Sequence, residues 1–341
     1  MVVLLTVFSF FFKKSGIIST LLFVLMWVLF GWNYWNADYG MYNDMYGDSV
    51  SEIIFFEYEG GYEFLIFCCK SIGLNFHQFH ALIAAIVLLL VFRFFHSFSY
   101  LPALLTVCFF WIFFPLQFVL FRNFIAFSIM LQGLISVLRN EKYSNEKYVF
   151  FVLLASTIHI SSLFYLVFLF AFGKTEVKIK TISLWAIVLL IVLFINHDFI
   201  FSTLTLVHEK KALFYRTSLP LFLAYSFTQI LNLYVVNYFL KLDSNSGDDE
   251  NSRANIVVLN INILMLFLIP VYYEMAVFVR ILLNFSIVNI VFITNKSFMV
   301  DHTIFPKILL LLYLLFWFFG FIFFVRETTI IPLFFNNLLF S

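Results

Sequence analysis

Apolar runs of sixteen to twenty-two residues follow one another along almost the whole chain: Ile17–Trp32, His77–Phe98, Tyr100–Pro115, Phe118–Leu138, Pro220–Leu240, Asn255–Tyr273, Ala276–Thr294 and Ile308–Val325. About 20 apolar residues at helical rise cover a hydrocarbon core about 30 Å thick. Inside it each segment must satisfy its own backbone polar groups, which a helix does and an isolated strand does not. A β-barrel would instead alternate in segments of about ten residues. Composition agrees, with 63% apolar and 11% charged residues and a mean hydropathy of +1.01, more apolar surface than a soluble core can hide. The fold class is therefore all-α: a polytopic integral membrane protein with about 10–11 transmembrane helices, read as a single transmembrane domain over 1–341. A net charge of +1 gives no footprint for nucleic acid. Three cysteines (Cys68, Cys69, Cys108) are too few and too poorly spaced for a zinc site or a disulfide framework. No metal and no cofactor is expected.

Charge placement orients the spans. Met1–Phe12 is apolar and Lys13-Lys14 follows it, the reverse of a cleavable signal, so it reads as a short first span. The positive-inside rule places those lysines in the cytoplasm. Ile17–Trp32 then leads outward to a stretch unlike any other. Gly31–Glu63 holds seven acids (Asp38, Asp44, Asp48, Glu52, Glu57, Glu59, Glu63) and no Lys or Arg. Residues 31–76 are read as an extracytoplasmic acidic and aromatic segment, re-entrant or interfacial. Within it Trp35, Tyr39, Tyr42 and Tyr46 recur at helical spacing. Two readings of that face stand: anchoring at the headgroups, or stacking on sugar rings. Tyr62–Leu74 is too short to span and is expected to lie on the outer side.

A parity problem arises at Tyr148–Phe172, which carries the polar break STIHISS (Ser156–Ser162). A single crossing would put GKTEVKIK (Gly173–Lys180) outside, against the charge rule. A turn back at the break keeps it inside, although eleven residues per arm fall short of a crossing; re-entrant backbone is allowed where protein or water surrounds it. That reading puts Phe199–Leu219 outside and the flexible loop 241–253, rich in Ser, Gly and Asp, inside.

Charges within apolar spans cost roughly 2.5–3.5 kcal/mol on insertion scales. Arg122 opens one inward span in LFRNFIAFS, Arg280 another in FVRILLNFS, and His159 sits in the break. An Arg near a span end can snorkel to the headgroups, and a lone membrane His is often a packing residue. All three nonetheless fall toward the leaflet of Asp38. Arg pairs bidentately with phosphate oxygens, and a His or carboxylate can take a proton from a sugar hydroxyl. No nucleotide donor is expected outside the cytoplasm, so the substrate must carry its own leaving group, as a polyprenyl diphosphate does.

At these residues the chain resembles the EpsG-type, Wzy-like polymerases of exopolysaccharide, capsule and O-antigen assembly. The resemblance runs through most of residues 30–300. It is carried by DYGMY (Asp38–Tyr42), EGGYEFL (Glu59–Leu65), SIGLNFHQFH (Ser71–His80), FRNFIAFSIML (Phe121–Leu131), LLASTIHISSLFYL (Leu153–Leu166) and VRILLNF (Val279–Phe285). The chain departs from the family pattern at Asn123, where Gln is usual, at Ile158, where Phe is common, and at Asn284, where an aromatic stands. The resemblance implies a multi-pass enzyme of the bacterial cytoplasmic (inner) membrane. It would transfer a growing glycan from undecaprenyl diphosphate onto a lipid-linked repeat unit at the outer face. A glycosyltransferase-C-like architecture is the related expectation. Membrane lipid and an undecaprenyl-diphosphate-linked oligosaccharide are the implied partners, with the pathway's flippase and chain-length regulator as candidates.

On this reading Arg122 and Arg280 neutralise the diphosphate. Asp38 or His159 is the base, with Asp38 preferred for positioning the acceptor. Tyr39, Tyr42, Glu59 and Tyr62 shape the glycan site, and Lys210, Lys211 and Arg216 add attraction for the diphosphate. The rivals are a lipid-linked oligosaccharide flippase, which needs charges along a path through both leaflets, a membrane acyltransferase, which needs a His near an early acid, and a purely structural assembly partner.

Overall fold

The computed structural model describes residues 1–47, 60–195, 217–242, 249–299 and 303–340. Among them six helices are long and apolar enough to cross a membrane: Phe76–Phe98, Phe121–Leu138, Leu219–Lys241, Arg253–Glu274, Ala276–Met299 and Phe305–Ile322. Five shorter apolar helices accompany them. The chain is thus an all-α polytopic membrane protein, and its helices pack as two compact units, Met1–Leu166 with Ile290–Ser341, and Val167–Asn289.

The first unit opens with α1 (Val2–Phe11) and α2 (Gly16–Gly31, capped by the Ser15 side chain). At ten residues α1 is about 15 Å long, half a hydrocarbon core, shorter than a crossing. α3 (Tyr39–Gly47) and α4 (Gly60–Ser71) follow; twelve residues bear out the expectation that α4 is too short to span. α5 (Phe76–Phe98) starts at a capping box of Asn75 and Gln78, each side chain meeting the other's backbone N–H. α6 (Pro102–Ile112) and the short α7 (Phe114–Val119) return toward α8 (Phe121–Leu138). Sixteen of the eighteen residues of α8 are buried, Asn123, Ser128, Gln132 and Ser136 among them, as expected of a central helix. Gly133 lets α9 (Ser144–Ile158) come close: a Cβ there would meet the Tyr148 Cα at 2.9 Å.

The break after α9 is a reversal. The Ser156 and Thr157 hydroxyls donate to the carbonyls of Leu153 and Leu154, competing with helix continuation. His159 then adopts extended backbone at φ −149°, ψ 111°. Tyr148 Oη donates to the Tyr165 carbonyl at 3.0 Å, whereas a straight helix would part those residues by about 25 Å. The returning arm, Ile160–Ala171, is a 3-10 helix of twelve residues, an unusual length for that form. Its rise of about 2.0 Å per residue carries it about 24 Å. The arms are fifteen and twelve residues long, about 22 and 24 Å, so the shortfall expected from eleven per arm is reduced, partly by the tighter winding, and both stay below a hydrocarbon core of about 30 Å.

In the second unit, α10 (Ile179–Ile195), α11 (Leu219–Lys241) and α12 (Asp249–Leu264), continued by α13 (Leu268–Glu274), surround a polar knot. Asn232 donates to Asn262 at 2.9 Å, and Asn262 and Asn289 exchange bonds at 2.8 Å; all three are buried. Such bonds join helices where lipid supplies no hydrophobic drive. Asn260 holds the turn after the 3-10 arm, donating to Ala171 and Thr175 carbonyls and accepting from the Val177 N–H. Glu176 meets Lys241 at 3.4 Å, so the Gly173–Lys180 loop and the end of α11 share one face. The loop read as 241–253 is shorter than that: α11 runs through Lys241 and α12 begins at Asp249, and residues 243–248 lie outside the described set.

α14 (Val279–Met299) is shared between the units, and from Ile290 it belongs to the first. There Asn295 donates to the Phe98 carbonyl at 2.6 Å, and the Lys13 and Lys307 ammonium groups lie over the Phe298 ring. Arg139 lies over Phe98. One face of the first unit thus gathers Lys13, Arg139 and Lys307. α15 (Phe305–Trp317), a π turn and α16 (Ile330–Phe335) carry the chain away from this basic face. They bring it to an isolated bridge between Asn337 and Asn33, at the far end of α2 and on the acidic face.

Candidate active site

Arg122 occupies the first turn of α8, the positive end of the helix dipole, where a cation is disfavoured by about 0.3–1 kcal/mol. Aromatic rings flank it. The guanidinium carbon lies 5.8 Å from the Tyr42 ring centroid and 5.7 Å from that of Tyr62, so rings from α3 and α4 flank one cation. The Arg122 backbone N–H also points at the Tyr42 hydroxyl, 3.5 Å away. Phe121, next in the chain, sits edge-on to both tyrosines and 4.7 Å from the His80 ring. Phe30 and Phe79 complete the shell around it. The rings themselves add no net charge, since a ring quadrupole attracts a cation without being charged.

Asp38 enters from the same side. Its N–H donates to the Asn36 side chain at 3.0 Å, and its carbonyl accepts the Tyr42 N–H at 3.2 Å, opening α3. An acid just before a helix suits the dipole. Burial raises the Tyr42 phenol above its ordinary value, Arg122 draws it down and the Asp38 charge raises it again. Arg122 and Asp38 therefore both act electrostatically on the Tyr42 phenol. Tyr62 is fully buried; burial, and after it Tyr42, push its phenol up, with Arg122 opposing. Its hydroxyl makes no hydrogen bond among the described residues.

The aromatic face expected from Trp35 onward differs in detail. The helix begins at Tyr39, and Trp35 stands outside it, half exposed. Tyr42 and Tyr46 are buried, packed on Tyr62, Phe76, Phe79 and Phe121. They line the protein interior and the Arg122 cradle, rather than a headgroup surface. Tyr39 is partly exposed, its hydroxyl 3.3 Å from the His77 ring.

His159, half-buried, is tied to this cluster through α4. Gly61 lies against Thr157, close enough that a Cβ would stand 2.2 Å from the threonine hydroxyl, and the next residue, Tyr62, covers Arg122. The described residues thus bring Asp38, Tyr42, Tyr62 and Arg122 together, with His159 one helix contact away. Arg280 belongs to the second unit, in the first turn of α14. It stands at the opposite end of that helix from Asn295, about 22 Å along its axis. Glu59, Lys210, Lys211 and Arg216 lie outside the described residues.

Sequence reasoning did not single out Phe121, His77 or His80. His80 is buried within the aromatic shell, and its Nδ1 makes no hydrogen bond among the described residues. A signal was present, since His77 and His80 lie one turn apart at the start of an apolar span.

No curated protein and no solved structure matches the chain, so the glycosyltransferase-C-like expectation rests on the family resemblance alone. A family model does match, that of the EpsG family, over residues 16–336. The match takes in the Asp38 segment, the Tyr–Arg–Tyr cradle, the His159 reversal and Arg280, and with nearly the whole chain covered, this protein belongs to the EpsG family of Wzy-like polysaccharide polymerases.

Proposed function

We propose that the protein elongates a polysaccharide at the outer face of the bacterial cytoplasmic membrane. The growing glycan moves from undecaprenyl diphosphate onto the non-reducing end of a lipid-linked repeat unit. The observation that carries this reading is the guanidinium of Arg122 held between Tyr42 and Tyr62 beside the Asp38 segment. The positive-inside rule assigns the Lys13–Arg139–Lys307 face to the cytoplasm, which leaves this cluster outside.

In the transfer, an acceptor hydroxyl oxygen attacks the anomeric carbon of the glycan. A C–O bond forms there as the bond to the diphosphate breaks, and undecaprenyl diphosphate departs with the bonding pair. Arg122 binds the diphosphate and stabilises the charge it gains, the work of a preorganised donor. The hydroxyl proton passes to Asp38 or, in its place, His159; Asp38 also orients the acceptor. Tyr42 and Tyr62 hold Arg122, and Tyr39 faces the acceptor side with His77. Arg280 is the second cation assigned to the diphosphate; Lys210, Lys211 and Arg216 lend attraction from their loop, and Glu59 helps shape the glycan site.

The test is complementation of a deletion strain with Arg122→Ala, Arg280→Ala, His159→Ala and Asp38→Ala, reading glycan length on a gel. Single repeat units in place of a ladder are expected. A normal ladder from Arg122→Ala would remove the diphosphate role, and loss of even the single unit would point to transport of the lipid-linked unit instead.

A further inference from the structure

Residues 332–338 reach the chain just ahead of Asp38 through an unusual set of bonds. Asn33 is fully buried. Its amide donates to the Pro332 carbonyl at 2.9 Å and the Asn336 carbonyl at 2.8 Å. Its side-chain oxygen accepts from the Trp35 N–H at 3.2 Å and the Asn36 amide at 3.3 Å. Asn36, also buried, accepts the Asp38 N–H. Backbone bonds run alongside, Tyr34 N–H to Asn336 at 3.0 Å and Leu338 N–H to Trp32 at 2.9 Å. Asn337, fully buried too, donates to the Val28 carbonyl at 2.9 Å.

Trp32–Asp38 lies between α2 and α3, outside any regular element that could hold it. Three buried asparagines in so apolar a protein spend their hydrogen bonds on this one linker and the turns that enclose it. From Pro332 to the Asp38 N–H the path runs through two side chains, Asn33 and Asn36.

We infer that the 332–338 segment is a positioning element for Asp38, acting through Asn33 and Asn36. The inference rests on the role proposed above for Asp38. A carboxylate that aims an acceptor hydroxyl must be fixed, because displacement by about 1 Å can cost a hundredfold in rate.

The test uses the full-length protein in lipid nanodiscs, elongating purified lipid-linked repeat units. Leu338→Pro deletes the N–H that bonds Trp32 at a residue whose side chain is 46% exposed, and Leu338→Ala is its control. Asn36→Ala removes the acceptor for the Asp38 N–H, and Asn36→Ser restores an oxygen there. Expected is a ten- to hundredfold fall in kcat (about, by the same displacement argument) for Leu338→Pro and Asn36→Ala. The acceptor KM, undecaprenyl diphosphate binding and the unfolding midpoint should stay near wild type, and the two control variants should retain activity. Wild-type kcat in both Leu338→Pro and Asn36→Ala would overturn the inference, as would a fall in rate matched by a fall in unfolding midpoint. Failure of the wild-type protein itself to elongate would remove the polymerase reading beneath it, and is told apart because it needs no variant.

Discussion

Replacing the rings that flank Arg122 gives the most direct test of the cradle. Tyr42→Leu and Tyr62→Leu each delete one cation–π partner, at 5.8 and 5.7 Å. The interaction is worth about 0.5–1 kcal/mol at exposed sites and about 2 when desolvated. Arg122 is half-buried, so about 1 kcal/mol per ring is the working figure. If that energy holds the guanidinium where the diphosphate needs it, each single variant slows elongation about fivefold, and the pair about thirtyfold, at about 1.4 kcal/mol per decade. Tyr→Phe at both positions keeps the π faces while removing the Tyr42 hydroxyl, which meets the Arg122 backbone N–H at 3.5 Å and also its side chain; if the rings carry the cradle, it elongates faster than the Leu–Leu pair. The assay is elongation of a lipid-linked repeat unit by protein in nanodiscs, with the unfolding midpoint taken on each sample. A Leu–Leu double variant of wild-type rate would refute the cradle. So would a Phe–Phe variant as slow as Leu–Leu, because the hydroxyls and not the rings would then be responsible.

Other consequences follow from the packing. Gly61→Ala should destabilise the protein by about 1–3 kcal/mol through overpacking, because its Cβ would meet both the side chain and backbone of Thr157; Thr157→Gly in the same chain should recover part of the loss in thermal unfolding. Asn262→Leu breaks three inter-helix bonds, each worth about 0.6–2 kcal/mol in membranes. A loss of about 2–4 kcal/mol is expected in micelle unfolding, and a change within experimental error would reduce the knot to a bystander. Cysteines at Lys174 and Lys241 should label from one side of sealed vesicles and a cysteine at Trp35 from the other. Labelling of Lys174→Cys together with Trp35→Cys would refute the reversal at His159.

How far the sequence alone reaches can be judged residue by residue. Spans were legible because about 20 apolar residues have few other uses. The turn at His159 was legible because Ser156, Thr157 and Ser162 interrupt such a run with groups that bond backbone. What composition does not encode is rise per residue, so the longer reach of Ile160–Ala171 as a 3-10 helix was hidden. Periodicity placed Tyr42 and Tyr46 on one face correctly. It is silent on what that face meets, and the partners came from α4, α5 and α8. Arg122 stood out by its cost, but its cradle depends on Tyr42 and Tyr62, eighty and sixty positions earlier. The pairing of Asn33 with Asn337 is longer in range still, and two asparagines in separate turns carry no pattern that would join them.

The position of Arg122 is itself an argument about what it binds. A cation in the first turn of a helix opposes the dipole, and one at a span end gives up part of its hydration. The dipole term changes sign for an anion placed at the same point, and helix N-terminus and guanidinium then act together on it against its loss of hydration. Tyr42 and Tyr62 restrain the group through ring faces that carry no net charge of their own. A snorkelling Arg would use its long stem to follow the headgroups, and two flanking rings forbid that freedom. Replacing Arg122 with Lys therefore separates the readings. A snorkelling cation tolerates Lys, whose stem is as long, whereas bidentate recognition of a diphosphate does not, because an ammonium lacks the planar fork. Elongation that survives Arg122→Lys undiminished would return this residue to the role of a membrane anchor.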